Sequence, residues 1–97
     1  MKKGYWVVVY HSIKDPAKAA AYRAIVEPTL QAAGGRFVIR GMPSRAFEKG
    51  QTERVVIVEF ENVDKAIAVH DSPEYRAALD ALGDGAERDF RIVEAVD

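Results

Sequence analysis

The seven residues Arg54–Phe60, with the sequence RVVIVEF, place the strongest constraint on what this chain can fold into. Four of the seven are β-branched, and the segment is short and flanked by turn-forming residues, which favours a β-strand over a helix. Its side chains then alternate between two faces, with Val56, Val58 and Phe60 on one and Val55, Ile57 and Glu59 on the other. Because both faces are apolar, we predict a central strand that is covered on both sides.

Size and composition indicate an ordinary globular protein with a single domain spanning residues 1–97. The net charge is −1 and the basic residues are scattered, which argues against a nucleic-acid partner. No cysteine is present, so disulfides, thiolate nucleophiles and cysteine-ligated metals are excluded. The apolar run after Lys2-Lys3 stops at His11, which is too short for a signal peptide or a membrane span. We therefore expect a cytoplasmic location and no membrane partner.

Turn and cap residues divide the first half of the chain into a strand and a helix. Tyr5–His11 alternates as a strand, and Asp15-Pro16 has the pattern of a helix N-terminus. The helix should end at Gly34-Gly35, where glycine permits a left-handed cap. Pro28 lies inside it, so we expect a kink or a break into two pieces.

The second half repeats this plan. We predict strands at Arg36–Gly41 and Asp89–Val96, and a long connection at Met42–Gln51 with a short extra ribbon at Arg45–Glu48. Asn62 and Ser72 cap two pieces of a broken helix. The order predicts an α+β fold of the ferredoxin-like βαββαβ type, in which both helices pack on one face of a four-stranded antiparallel sheet.

Helices on one face leave the other face of this sheet uncovered. We assign the helix side to Trp6, Val8, Tyr10, Val56, Val58 and Phe60, the more continuously apolar set. The open face then carries Tyr5, Val7, Val9, Val55 and Ile57. Exposing four aliphatic side chains forfeits roughly 6–12 kcal/mol, comparable to the net stability of a domain. We therefore predict a homodimer whose two sheets pack face to face, with any ligand cavity where the open faces meet.

Several short motifs resemble those of a known family, the domain of unknown function 1330. The most specific are GGRF at 34–37, ERVVIVEF at 53–60 and SPEY at 72–75, and the resemblance spans essentially the whole chain. This family is similar to the dimeric α/β-barrel superfamily, whose members include small cofactor-free monooxygenases, isomerases, haem enzymes and ligand-sensing domains. The resemblance implies the fold and a dimer, and it assigns no reaction.

Glu59 is the candidate catalytic residue. On the open face beside Val55 and Ile57 it would be half-desolvated, which would raise its pKa and suit a general base. The alternative is a structural role, in a salt bridge to Arg54 or Arg40 or in a pair between subunits.

The candidate ligand-binding residues are Arg40, His11, Tyr5 and Arg54. Arg40 follows an apolar strand and either clamps an anion or covers the sheet edge with its stem. His11 either shuttles a proton or is simply a solvated strand end. Neither His11 nor His70 has metal-ligand spacing, so we predict no metal site and no cofactor.

Three functions remain open from the sequence. The first is a cofactor-independent oxygenase- or isomerase-like enzyme acting on a small organic molecule, for which Arg40 would suit an anionic one. The second is a sensor that binds a metabolite without turnover. The third alternative is an interaction protein whose interior is filled by side chains. In the enzyme hypothesis, Glu59 is the base, Arg40 holds the anion and aromatic side chains form the apolar wall of one cavity.

Overall fold

A four-stranded antiparallel sheet forms one layer of the protein in the computed structural model, which describes residues 1–97. The strands lie in the order β2-β3-β1-β4 and span the following residues: β1 Gly4–Ile13, β2 Arg36–Gly41, β3 Val55–Phe60 and β4 Ala86–Glu94. The predicted central strand is confirmed, because β3 pairs with β1 on one side and with β2 on the other. The predicted ferredoxin-like βαββαβ fold is therefore present.

Three helices form the second layer: α1 Pro16–Ala32, α2 Val63–His70 and α3 Pro73–Leu82. The predicted caps are confirmed, since the side chains of Asp15, Asn62 and Ser72 each accept a hydrogen bond from a backbone N–H in the first turn. None of the helices combines the length and hydrophobicity needed to span a bilayer.

Of the kink or break expected at Pro28, the break is wrong, because α1 runs without interruption through that residue. The side chains of Val26 and Leu30, on either side of Pro28, are buried. Their burial favours keeping both parts of the helix on the sheet although one backbone hydrogen bond is lost at the proline. Beside it, the hydroxyl of Thr29 donates to the carbonyl oxygen of Ile25 at 2.8 Å.

Three predicted boundaries also differ from the structure. Strand β1 continues past His11 to Ile13, because Ser12 and Ile13 pair with β4 after a register shift that follows Tyr10. The same pairing starts β4 at Ala86 rather than at Asp89, and β4 ends at Glu94 rather than Val96. The segment between Gly41 and Val55 contains no strand, so the expected ribbon at 45–48 is wrong.

The core lies between the helices and one face of the sheet, as the predicted face assignment requires. Trp6, Val8, Tyr10, Val58 and Phe60 are buried there, and Val56 packs against them. The indole N–H of Trp6 donates to the carbonyl oxygen of Ala66 at 2.9 Å, which ties β1 to α2. Trp6 also contacts three aromatic rings with centroids 4.9–5.1 Å away: Phe60, Tyr75 and Phe90.

No helix covers the other face of the sheet, which we call the open face. The apolar side chains of its central strands are half-exposed: Tyr5, Val7, Val9, Val55 and Ile57. In register with them, Ile39 on β2 and Val93 on β4 are 50% and 46% exposed. The open face is therefore a broad apolar surface that this chain does not bury by itself.

Two glycines hold the end of α1 against the sheet. Gly34 has a φ of 79°, and the N–H groups of Gly34 and Gly35 donate to the carbonyl oxygens of Gln31 and Leu30, which is a Schellman cap. A side chain at Gly35 would begin 3.0 Å from the Phe60 ring and 3.3 Å from Val58. A larger residue at this position would have to displace the Phe60 ring, so glycine suits this close approach of the helix end to β3.

Candidate functional site

A cavity lies between α1 and the helix-covered face of the sheet. Its volume is about 30 Å³, and about 410 Å³ of empty space is present when the open mouth is counted. Most of the lining residues are hydrophobic, and they come from both layers: Trp6, Val8, Val56 and Val58 from the sheet and Val26 and Leu30 from α1. The enclosed space is large enough for one or two water molecules or a group of similar size.

Four arginines and a single carboxylate also line this cavity. Arg40 and Arg88 belong to β2 and β4, Arg54 precedes β3, and Arg23 and Glu27 belong to α1. The three arginines from the sheet side meet at one end because Arg88 pairs with Tyr10, whose N–H donates to the carbonyl oxygen of Arg54. Glu27 is bound to Arg40 at 2.9 Å. The cavity therefore carries an excess of positive charge.

Arg88 is the most enclosed of these arginines. Its guanidinium carbon lies 4.8 Å from the ring centroid of Tyr22 and 5.6 Å from those of Tyr10 and Phe90. Its Nη1 donates to the Tyr22 hydroxyl at 3.1 Å, and no carboxylate lies within ion-pair distance. A guanidinium has five N–H donors, so most of its donor capacity is not used by acidic groups of this chain.

The Tyr22 hydroxyl connects Arg88 to the core. It lies 2.7 Å from the hydroxyl of Tyr75, a side chain that is fully buried. Burial raises the pKa of Tyr22 well above its usual range, and the neighbouring Tyr75 acts in the same direction. Tyr22 is therefore a neutral hydroxyl at physiological pH, suited to donating or accepting a hydrogen bond and unsuited to acting as a base.

The structure brings two of the predicted ligand-binding residues, Arg40 and Arg54, into this cavity. Arg40 stacks over the ring of Phe37 at 4.3 Å while it holds Glu27, so it forms part of the mouth. A role for either arginine in ligand binding stays a prediction.

Glu59 and Tyr5 lie together on the open face instead. The Tyr5 hydroxyl donates to Glu59 Oε2 at 2.8 Å, while Arg36 Nη2 lies 3.2 Å and Lys3 Nζ 3.8 Å from Glu59 Oε1. The hydrogen bond from Tyr5, helped by Arg36 and Lys3 and opposed by partial burial, lowers the pKa of Glu59. The expected raised pKa is wrong, because these donors outweigh desolvation.

Two further expectations for Glu59 are wrong. Its ion-pair partners in the chain are Arg36 and Lys3 rather than Arg54 or Arg40, and Arg36 is directly opposite Glu59 in the register of β2 and β3. Arg40 is opposite Val56, on the other face of the sheet. Glu59 and Arg40 therefore cannot act in one cavity of the same chain, and a catalytic role for Glu59 stays a prediction.

The two histidines lie apart from the arginine-lined cavity. His11 is exposed at the register shift of β1. His70 ends α2, with Nδ1 3.0 Å from Asp71 Oδ1 and its ring 5.2 Å from those of Tyr75 and Phe90, so it has a packing role. No group of three His, Asp or Glu side chains lies close enough together to hold a metal ion.

The sequence interpretation did not single out Arg88 or Tyr22. Arg88 alternates with Phe90 and Ile92 on β4, and an arginine in an apolar strand register indicates either a functional group or a strand end. The spacing of Tyr22 with Val26 and Leu30 is typical of the buried face of a helix, where its ring indeed packs, but the contacts of its hydroxyl depend on the tertiary structure.

Solved structures with the same fold include proteins of differing description. A protein of unknown function from Rhodopseudomonas palustris superposes with a TM-score of 0.78 at 14% identity, over 99% of this chain and 84% of that one. A dimeric protein of unknown function with a ferredoxin-like fold from Bacteroides fragilis gives 0.60 at 17% identity, over 96% of each chain. SnoaB, a cofactor-independent oxygenase from Streptomyces nogalater, gives 0.55 at 13% identity, over 100% of this chain and 96% of that one.

At these identities the likeness shows the fold alone. No match was found among curated proteins. The family model described as "Domain of unknown function (DUF1330)" matches residues 3–96, and the resemblance predicted from the GGRF, ERVVIVEF and SPEY motifs is thereby confirmed. This chain belongs to the DUF1330 family.

Proposed function

We propose that this protein is a small enzyme of the cofactor-independent oxygenase or isomerase type, which takes a small organic molecule into the cavity beneath α1. The observation that carries the proposal is the cavity itself, in which apolar walls surround a few convergent polar groups, Arg88 and the Tyr22 hydroxyl among them. Pockets of this composition bind small molecules in many proteins. A cofactor-independent oxygenase with the same fold supports the reaction class by analogy.

A second candidate is a sensor that holds the same kind of molecule without turnover. One observation favours it: no free base lines the cavity, since Glu27 is bound to Arg40 and no histidine is present there. An enzyme at this site would therefore depend on positioning and on electrostatic stabilisation of an anionic intermediate by the arginines. Such an enzyme would need no basic side chain if a basic group of the substrate removed the proton.

We also propose that two copies associate through their open faces, as a dimeric α/β barrel. The support is the half-exposed apolar surface of the central strands, together with a fold relative described as dimeric. Within such a dimer the Glu59 and Tyr5 pair would be enclosed between the subunits, where a catalytic or a structural role of Glu59 remains to be tested. The lack of cysteine is compatible with the cytoplasm, where we propose that the protein acts.

The location of the ligand is tested by filling the cavity. In Val26→Phe the larger side chain points into it, whereas Ala24→Phe adds the same ring at an exposed position of the same helix. Small molecules that copurify with the wild-type protein are identified by mass spectrometry, and binding is followed by thermal shift. We expect Val26→Phe to lose the copurifying molecule and the shift, and Ala24→Phe to keep both. Retention by Val26→Phe would show that the ligand binds elsewhere.

A further inference from the structure

The charges around the cavity define the kind of molecule that fits it. Arg40 and Glu27 neutralise each other at the mouth, whereas Arg88, Arg54 and Arg23 have no carboxylate partner in the chain. All three of these arginines are half-buried. Arg88 differs because aromatic rings flank its guanidinium, which limits the approach of water and strengthens its interaction with a bound charge.

We propose that the cavity is specific for an organic monoanion, in which a carboxylate or enolate group binds Arg88 and a flat apolar body extends towards the mouth. This inference rests on the proposed function and names its substrate class. A guanidinium presents paired N–H groups that match two oxygens on one carbon, and one N–H of Arg88 is already directed by the Tyr22 hydroxyl. Tyr22, itself joined to Tyr75 at 2.7 Å, therefore positions Arg88.

The enclosed volume of about 30 Å³ suits a head group of two oxygens. The body would therefore extend through the open side of the cavity, along aliphatic side chains of α1 and the sheet that line it, such as Val26 and Val56. Such walls favour an apolar body and disfavour a hydrated phosphate, for which one enclosed guanidinium also offers too few donors.

The aromatic rings around Arg88 are the main alternative explanation of its position. Cation–π contacts with Tyr10, Tyr22 and Phe90 stabilise a guanidinium without any ligand. They provide contact to the faces of the guanidinium but no acceptor for its remaining N–H groups. A purely structural arginine would show no preference for an anionic ligand, and that difference is measurable.

Trp6 provides the measurement, because it is the single tryptophan of the chain and lines the cavity. Its fluorescence is titrated with phenylacetate, with the neutral isostere phenylacetamide and with inorganic phosphate. We expect phenylacetate to bind at least about tenfold more tightly than phenylacetamide, as a charge-assisted hydrogen bond predicts, and phosphate to have no effect. Equal binding of the two phenyl compounds, or tighter binding of phosphate, would overturn the monoanion proposal and leave the cavity as the binding site.

Substitutions test whether Arg88 causes the preference for phenylacetate over phenylacetamide. Arg88→Met should reduce the preference for phenylacetate to about onefold, whereas Arg76→Met removes the same charge from an exposed position of α3 and should leave it unchanged. If Arg88→Met does not fold, Arg88→Lys keeps the charge but loses the paired N–H groups, and the preference should fall at least about threefold. An unchanged preference in Arg88→Met or in Arg88→Lys would overturn the role of Arg88. If neither phenyl compound changes the fluorescence of the wild-type protein, the proposed function fails together with this inference.

Discussion

The two faces of the sheet are built from the same strands and are both apolar, but they differ in how their charged side chains are paired. On the open face each carboxylate has a basic partner in the chain: Glu59 is bound to Arg36 and Asp89 to Arg91. On the helix-covered side Arg40 is paired with Glu27, but Arg88 and Arg54 from the sheet and Arg23 from α1 have no such partner. A surface with internally paired charges is suited to meet another copy of itself, whereas a cavity with unpaired cations is suited to an anion.

The comparison predicts that truncating a side chain on the helix-covered face has the largest effect. Phe60→Ala removes a ring that is 1% exposed and should lower the free energy of unfolding by about 3–5 kcal/mol. Ile57→Ala, on the opposite face of the same strand, should cost less than about 1.5 kcal/mol at concentrations that favour the monomer. Urea unfolding measures both, and equal losses would contradict the difference between the faces.

A charge placed on the open face should separate the subunits without unfolding them. Val7→Asp puts a carboxylate into the centre of the proposed interface, and we expect the dimer to weaken by at least about 2 kcal/mol, or roughly thirtyfold. Sedimentation velocity over a concentration series measures this. Ile67→Asp, at a position of α2 that is 42% exposed, is the control and should remain dimeric. A monomeric wild-type protein at micromolar concentration would refute the interface.

The smallest expected effect concerns the carboxylate of the open face. Because the folded protein holds the pKa of Glu59 below its usual value, the ionised form stabilises the fold above the ordinary carboxyl pKa near 4.5. That contribution should be lost as the pH falls from about 4.5 through the lowered pKa. In Glu59→Gln this part of the acid dependence should vanish from a series of thermal melts, whereas Glu61→Gln, at an exposed position, should retain it. If the wild-type protein and Glu59→Gln lost stability identically with falling pH, the ion pair of Glu59 would not contribute to stability.

The fold could be predicted from the sequence because hydrophobic alternation and helix caps are local patterns. The strand predicted at 54–60 is present at Val55–Phe60, and the caps at Asp15 and Ser72 and the glycine stop occur where they were predicted. The break at Pro28 was wrong because packing on the sheet, which a local pattern does not report, holds the helix together on both sides of the proline.

The candidate site was harder to predict, since it depends on register between strands. The sequence grouped Glu59 with Arg40, but pairing of Glu59 with Arg36 and of Val56 with Arg40 puts them on opposite faces. The bulge in β2 between Phe37 and Ile39 places Arg40 on the helix side of the sheet. No residue type in that strand predicts the bulge. Arg88 is a candidate binding residue because of its contact with Tyr22, which in turn contacts Tyr75. These two tyrosines are more than 50 positions apart in the sequence, so no local pattern predicts the cluster.

The close approach at Gly35 has a consequence for the depth of the cavity. The C-terminal end of α1 lies close to Phe60 and Val58, and a Cβ atom at position 35 would be within 3.0 Å of the Phe60 ring. The C-terminal end of α1 is therefore fixed against the sheet, and its N-terminal end is held as well, because the backbone N–H groups of Lys14 and Asp15 donate to the carbonyl oxygen of Gly85. Additional space for a larger ligand must come from the middle of the helix, near Tyr22 and Arg23. A methyl group at position 35 would press on Phe60 and on Val58, which lines the cavity, so Gly35→Ala should weaken the binding of small ligands by changing the cavity wall.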